Sequence, residues 1–402
     1  MTTPGKYTTC QECGKKNPSD NKFCGHCGVV VVKKENPPHL TCHACRKKLP
    51  SDSKYCEHCG VALKKVKKKS TTLVATSIFC FFACISFVAF KYWTIAKPEE
   101  KETIIYAVGA DNSGSKDIAA LWANGMAQKL TDGNNNAWAR SVFVSGSDIY
   151  VAGHEHNGNR DVVTLWKNID SQKLTDDNNN AWARSVFVSG SDIYVAGGDT
   201  SARYAMLWKN KELYKLPDGQ NGGWAWAHSV FVLGSDVYVA GYEYSGNRHV
   251  ATLWKNSNLQ KLTNGNNHAI ANSVFVFDSD VYVAGRESNG NRDVATLWKN
   301  KVPQKLTNGN NNAYANSVFV SDNDVYVAGS EYNGNISVAT LWKNNMLHKL
   351  TNGNFDAVAN SVFVLGDDVY VGGKDGGDGI VWKNNEVLYR FPNANVFSIY
   401  VK

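Results

Sequence analysis

Cysteine is absent from most of the chain: all ten cysteines lie within the first 84 residues. A disulfide framework is therefore excluded for the long remainder. Proline is scarce, with 9 residues in 402, whereas glycine (34 residues) and aromatic side chains (11%) are plentiful, which favours short strands and many turns. Residues 1–70 carry 15 Lys or Arg against 5 Asp or Glu, but residues 91–402 carry 28 against 31. A chain divided in this way has parts that face different surroundings.

The cysteines of the first segment form four pairs, each with two residues between its members: Cys10 and Cys13, Cys24 and Cys27, Cys42 and Cys45, Cys56 and Cys59. Two such pairs complete a tetrahedral thiolate shell for Zn²⁺. Disulfides are the alternative for an even number of cysteines, but the doubled spacing disfavours them. The sequence therefore predicts two structural zinc ions, held within residues 8–30 and 40–62. Four ligands close each site, which disfavours catalysis by the metal.

Both units resemble the zinc-ribbon family. The segment Asn17-Pro-Ser-Asp-Asn-Lys-Phe-Cys24 matches the spacer of bacterial zinc ribbons that precede membrane spans. The resemblance implies a structural or protein-interaction module with a cytosolic protein partner. Nucleic acid is the weaker alternative, because two four-thiolate zinc sites lower the segment's formal charge from +10 to about +6.

A membrane span is predicted at residues 71–93. Thr71 to Phe90 is a run of 20 residues without a charge, which as a helix covers about 30 Å, the thickness of the hydrocarbon core. Five lysines precede the span closely, so its N-terminal side is cytoplasmic. We therefore expect a single-pass protein of the cell (inner) membrane, in which a linker (94–103) and an extracytoplasmic domain (104–402) follow the span. A cleaved signal peptide or a buried helix fits the segment less well.

The last 300 residues are repetitive. A Ser-Val-Phe-Val segment recurs every 44 residues, and each unit also has a strand-ending glycine and a following tryptophan. Short apolar strands at this spacing predict a seven-bladed β-propeller of four-stranded blades, so the chain as a whole is mostly β. In the second unit we predict strands at 141–144, 148–153, 162–167 and 172–175. The chain enters on a second strand and leaves on a first strand, so one blade joins both ends and closes the ring.

The repeats resemble kelch-type propellers in their period and in the spacing of Gly and Trp. They lack the regular double glycine of that family; only Gly197-Gly198 and Gly372-Gly373 form such a pair. The resemblance implies the fold alone and does not identify a ligand.

Charged residues recur at two positions of the repeat. An acidic residue stands two positions after each strand-ending glycine, as Glu155, Glu243 and Glu287 do. The hairpin turns that follow predict pairs across each hairpin, such as Glu243 with Arg248 and Glu287 with Arg292, rather than a cation site. A basic residue recurs on each fourth strand, where we expect it to discourage edge-to-edge association.

The connections from each fourth strand to the next first strand are rich in Asn and aromatic residues. They place a candidate ligand-binding face on one end of the ring, which comprises Trp138, Trp182, Trp224, Trp226, Tyr314 and Phe355. Aromatic rings beside amides suit a sugar or a peptide. Ile270 and Val358 occupy the position of Trp138 in other units, which favours a packing role there instead. The unit that contains Trp208 departs most from the repeat and is the first place to look for a pocket.

No arrangement of catalytic residues recurs or stands out, and near-identical copies do not make the single asymmetric site that catalysis needs. The sequence therefore predicts a non-enzymatic binding or scaffold protein, whose propeller binds a protein or envelope polymer outside the membrane. A lectin-like receptor for glycans is the first alternative, and a propeller hydrolase is the second.

Overall fold

The computed structural model describes residues 103–176, 180–201, 203–218 and 224–402, together with four short strands nearer the N-terminus. Strand β1 (Tyr7–Thr9) pairs antiparallel with β2 (Lys16–Pro18), and β3 (His39–Thr41) pairs with β4 (Lys48–Pro50). The connection within each pair contains the first two cysteines of a predicted zinc unit, so both units begin alike. All eight predicted ligands, and the predicted span at 71–93, lie outside the described residues.

The remaining strands form seven antiparallel sheets of four strands, and no helix occurs among the described residues. In chain order they are β5 (Ile105–Asp111), β6 (Ile118–Ala123), β7 (Met126–Lys129), β8 (Ala137–Ser145), β9 (Asp148–His156), β10 (Asp161–Lys167), β11 (Asp170–Lys173), β12 (Ala181–Ser189), β13 (Asp192–Asp199), β14 (Ala205–Lys209), β15 (Glu212–Lys215), β16 (Ala225–Leu233), β17 (Asp236–Ser245), β18 (Arg248–Lys255), β19 (Asn258–Lys261), β20 (Ala269–Phe277), β21 (Asp280–Ser288), β22 (Asp293–Lys299), β23 (Val302–Lys305), β24 (Ala313–Ser321), β25 (Asp324–Tyr332), β26 (Ser337–Lys343), β27 (Met346–Lys349), β28 (Ala357–Leu365), β29 (Asp368–Asp375), β30 (Asp378–Lys383), β31 (Glu386–Phe391) and β32 (Ala394–Val401).

The sheets are the blades of a seven-bladed propeller. Blades 1 to 6 take four consecutive strands each, from β8–β11 to β28–β31, and blade 7 has the order β32-β5-β6-β7. The first strands of neighbouring blades contact one another in a closed ring, so they line the central channel. The predicted blade count and the predicted closure between the two ends of the ring are both confirmed.

The core of each blade rests on the tryptophan of its third strand. Trp166, Trp254, Trp298 and Trp342 are completely buried, and their counterparts Trp122, Trp208 and Trp382 nearly so. Fully burying an aromatic side chain is among the largest single hydrophobic contributions to a fold. This burial explains why tryptophan recurs in all seven units.

The strand-ending glycine recurs in every unit for a different reason. In every blade the first strand contains a β-bulge, for example between Ala139 and Ser141. The bulge brings backbone so close that a Cβ on Gly153 would lie 1.9 Å from the Trp138 carbonyl oxygen. Only glycine fits such an approach. The bulge also explains why β8 begins at Ala137, four residues earlier than predicted: the residues before Ser141 continue the ladder with β9.

Candidate binding face at the central channel

An aromatic ring narrows the channel. It is formed by the third residue of each Ser-Val-Phe-Val segment and its blade 7 counterpart: Phe143, Phe187, Phe231, Phe275, Phe319, Phe363 and Tyr400. Neighbouring ring centroids lie 4.7–5.2 Å apart around the full circle. These are the distances of favourable aromatic contacts, so the ring is a continuous apolar collar.

A serine ring lies next to it, and its members join the blades by hydrogen bonds. Its members are Ser141, Ser185, Ser229, Ser273, Ser317, Ser361 and Ser398. Each hydroxyl accepts a hydrogen bond from a backbone N–H of the next blade, at 3.0–3.3 Å, and the circle closes when Val142 donates to Ser398. The hydroxyl of the repeated serine therefore links each blade to the next by a hydrogen bond.

A third ring, the bulge ring, consists of the bulged residues: Arg140, Arg184, His228, Asn272, Asn316, Asn360 and Phe397. It lies nearer than the aromatic ring to the upper face, the end of the channel where the first strands begin. A bulge re-aims its side chain. His228, Asn272 and the two other asparagines each hydrogen-bond a backbone carbonyl oxygen of the next blade, at 2.8–3.1 Å.

The two arginines break this pattern. The Nε atoms of Arg140 and Arg184 are buried without a hydrogen-bond partner among the described residues. Arg140 instead stacks on Phe397, with Cζ 4.2 Å from the ring centroid, and Arg184 lies over Trp182 at 5.6 Å. The Arg140 and Arg184 sides of the channel therefore carry two neighbouring cations.

Burial and mutual repulsion mark this region electrostatically. Burial, reinforced by the charge of Arg184, lowers the pKa of Arg140 to about 9, and burial lowers the pKa of Arg184 as well. Burial and both arginines lower the pKa of His154 to about 2. Burial and Arg184 lower the pKa of His228 to about 3. Both histidines are therefore neutral at physiological pH, and the arginines carry the charge.

A second feature of the upper face is the Trp224 patch, which comprises Arg203, Trp224, Tyr244, His249 and His268. Trp224 is 37% exposed, and its ring centroid lies 6.4 Å from that of Tyr244. The ring of His249 contacts Tyr244 at 5.4 Å and His268 at 5.3 Å. The guanidinium of Arg203 lies over Trp224 at 5.8 Å. The patch presents aromatic faces and hydrogen-bonding groups together.

The structure separates the six aromatic residues of the predicted binding face. Trp138 and Trp182 are half-buried on either side of His154, with ring centroids 4.9 and 5.4 Å from it. Trp226 is 4% exposed and packs 5.7 Å from Trp182, so it offers almost no surface to a ligand.

Two other members stand apart from that cluster. Tyr314 is half-buried beneath the guanidinium of Arg286, 5.0 Å from its ring centroid. Phe355, which precedes β28 of blade 6, is 63% exposed and lies beside Gly376. The six residues are thus spread over several blades and do not converge on one pocket.

The predicted charge pairs across the hairpins are wrong. Glu243 pairs with Lys261 at 2.7 Å, and Glu287 pairs with Lys305 at 2.6 Å. The reason is sheet register: Glu243 faces Val250 and Lys261 faces Thr252, two residues along the same strand and therefore on the same face. The acidic and basic repeat positions are thus partners of each other.

Sequence reasoning missed a cluster at the opposite end of the blades. In blades 1 to 6 an Asp at the start of the second strand binds a Lys that ends the third strand, at 2.7–2.9 Å, as Asp280 binds Lys299. An Asn and a Tyr hydrogen-bond the same carboxylate. The recurring Asp-x-Tyr and Trp-Lys-Asn segments carry this signal. The bulge ring was also missed, because a bulge depends on cross-strand register.

The N-terminal segment matches a known protein-family model. Residues 10–60 match the family model "Double zinc ribbon", which spans all eight paired cysteines and implies zinc binding. No curated protein matches the chain. A similar solved structure is the crystal structure of Porphyromonas gingivalis dipeptidyl peptidase 4, at 9% identity and a TM-score of 0.38. That match covers 72% of this chain and 51% of the other, so the chain spans about half of that protein's length. So distant a likeness carries no argument about activity.

Within the residues that the structure describes, no helix has the length and apolar character needed to cross a bilayer.

Proposed function

We propose that the chain is a non-catalytic, membrane-anchored binding protein with a kelch-like propeller. Its extracytoplasmic propeller binds a protein or an envelope polymer, and its cytoplasmic zinc ribbons bind a protein partner. A closed ring of seven fastened blades supports this proposal, because such a frame holds surface residues rigidly in place. The charge-free run from Thr71 to Phe90 and the lysines before it support the anchor.

The Trp224 patch is the observation that carries the binding role. Trp, Tyr and Arg are enriched among the residues that contribute most to protein interfaces. Exposing Trp224 beside Tyr244 leaves apolar surface in contact with water, which a partner would cover. The serine and bulge rings repeat around the propeller, whereas the patch occurs once among the residues that the structure describes. A single partner orientation follows from that asymmetry.

The test is a capture experiment with full-length protein in detergent, incubated with solubilised envelope of the source cell. Trp224→Ala combined with Tyr244→Ala should abolish retention of a discrete protein that the unaltered chain retains. Phe355→Ala is the matched control, since it removes an exposed aromatic side chain from another blade. Equal retention by all three proteins would contradict the assignment of the patch.

A lectin-like receptor is the second candidate, because the same aromatic faces beside Arg203 and His249 suit a sugar ring. Elution of the retained material by free sugars would favour it. A hydrolase would show turnover that is lost when one acidic residue is replaced.

The zinc ribbons are proposed to hold two structural ions, each by four thiolates: Cys10, Cys13, Cys24 and Cys27 in the first, and Cys42, Cys45, Cys56 and Cys59 in the second. Zinc supplies most of the folding free energy of units this small. Metal analysis of the purified chain should therefore give two zinc ions, and Cys24→Ser should remove one of them.

A further inference from the structure

We propose that the Arg140 and Arg184 sides of the central channel form a binding site for the oxyanion group, carboxylate or phosphate, of an acidic ligand that enters from the upper face. This site consists of other residues than the Trp224 patch and goes beyond the proposed binding role. Its test does not depend on which partner the patch binds.

The first argument is the interruption of the bulge ring. At four consecutive blades, from His228 to Asn360, the bulged side chain hydrogen-bonds the next blade. An asparagine is sufficient for that bond. At Arg140 and Arg184 a longer side chain with five donors replaces it, and the bond is not made. Fastening the blades therefore does not explain these two arginines.

The second argument is charge. Neither guanidinium has an ion-pair partner within the part of the chain that the structure describes. Two like charges in a partly desolvated channel repel each other. At Arg140 the stacking on Phe397 and the charge of Asp117 offset this cost only in part, since the pKa of Arg140 remains lowered. An oxyanion between them would remove the repulsion and form charge-assisted hydrogen bonds, which planar guanidinium groups favour geometrically.

The third argument is the shape of the site. Phe397 stacks on Arg140 and Trp182 flanks Arg184, so aromatic faces limit how the guanidinium groups move. The aromatic ring lies below the arginines and makes that part of the channel wall apolar. His154 is 2% exposed, and its Nδ1 is buried without a partner among the described residues. It lies between Trp138 and Trp182 and is a further neutral polar group beside the two cations.

The duplication of a segment of the repeat also supports a site that includes both arginines. Residues 134–153 and 178–197 are identical, so both arginines belong to the same repeated segment. Ring closure brings Phe397 next to the first of them. Arg140 and Arg184 therefore belong to one continuous part of the channel wall and are not two scattered substitutions.

The test measures anion binding to the full-length protein in detergent, in a chloride-free buffer. Acetate and inorganic phosphate are titrated separately by calorimetry, and thermal unfolding is followed in parallel. We expect binding of at least one anion, with a matching rise in Tm by mass action. Arg184→Gln and Arg140→Gln should each weaken the affinity at least tenfold, and Arg184→Lys should weaken it less. Arg292→Gln removes an exposed cation from a hairpin of the same face and should leave the affinity unchanged.

Each outcome decides the proposal. Anion binding that depends on Arg140 and Arg184 supports it, and the preferred anion distinguishes a carboxylate ligand from a phosphate ligand. No binding by the unaltered protein overturns it. Equal stabilisation of all variants also overturns it, since general salt effects would then account for the Tm. If a glutamine variant unfolds at a lower temperature without anion, the arginine has a structural role and the site is rejected; we expect the opposite, because the variant relieves repulsion.

Discussion

The serine ring makes a quantitative prediction about how the blades hold together. Ser273 accepts a hydrogen bond of 3.2 Å from the backbone N–H of Val318 in the next blade. Val318 is 4% exposed. Ser273→Ala would therefore leave a buried donor without its acceptor.

The loss in the free energy of unfolding can be estimated from the cost of leaving the Val318 N–H without an acceptor. Leaving a buried polar group unsatisfied costs about 1–3 kcal/mol. Because the serine ring borders the channel, where water can replace part of the bond, we expect the free energy of unfolding to fall by about 1–2 kcal/mol. A propeller of about 300 residues has an unfolding entropy near 0.6 kcal/mol per degree, so the Tm should fall by about 2–3 °C.

The assay is urea unfolding of the purified protein, followed by tryptophan fluorescence. The midpoint should shift while the slope m stays constant, because the surface exposed on unfolding hardly changes. Ser279→Ala removes the same hydroxyl from an exposed turn and is the matched control. Equal midpoints for Ser273→Ala and Ser279→Ala would refute the fastening role. Combining Ser185→Ala with Ser317→Ala should give additive losses, since the two bonds share no atoms.

Three further predictions concern other parts of the molecule. Phe275→Ala opens the aromatic ring and should cost about 3 kcal/mol in urea unfolding, whereas Phe355→Ala, at a site 63% exposed, should cost almost nothing; similar costs would contradict the collar. A strong chelator should release two zinc ions and unfold residues 10–60 while leaving the propeller's thermal transition in place; loss of both together would show that the parts depend on each other. Stability should fall on acidification below pH 6.5, because His154 and His228 stay neutral when folded and take up protons when unfolded. Each contributes up to about 1.4 kcal/mol per pH unit, and His154→Gln should flatten the slope.

The blade count was predictable because the repeat is long, regular and nearly identical between copies. Counting Ser-Val-Phe-Val segments and tryptophans also predicted which strand closes the ring. The serine and phenylalanine were visible as repeated residues, but their roles between blades were not, since those roles depend on how seven sheets meet around an axis.

The candidate site was predictable only in part. Trp224 was named, and it is exposed, but Trp226 two residues away is buried. Trp224 precedes β16, whereas Trp226 lies on it and packs against Trp182 of the neighbouring blade, a contact that the sequence does not reveal. Arg140 and Arg184 stood directly before the repeated serines and still escaped notice. Their significance depends on the bulge, which shifts the register by one residue and turns a strand residue toward the channel.

Closure of the ring by β32 has a mechanical consequence. Ile104 and Lys402 exchange two backbone hydrogen bonds of 2.9 Å at the margin of blade 7. If the proposed membrane anchor is pulled, tension enters the propeller at this end of β5 and loads the ladder between β5 and β32 first. That ladder joins two segments separated by almost the whole propeller in sequence, so breaking it parts the circle at its seam. A tether at this point would make blade 7 the first to yield under force, while the other six blades keep their own hairpins.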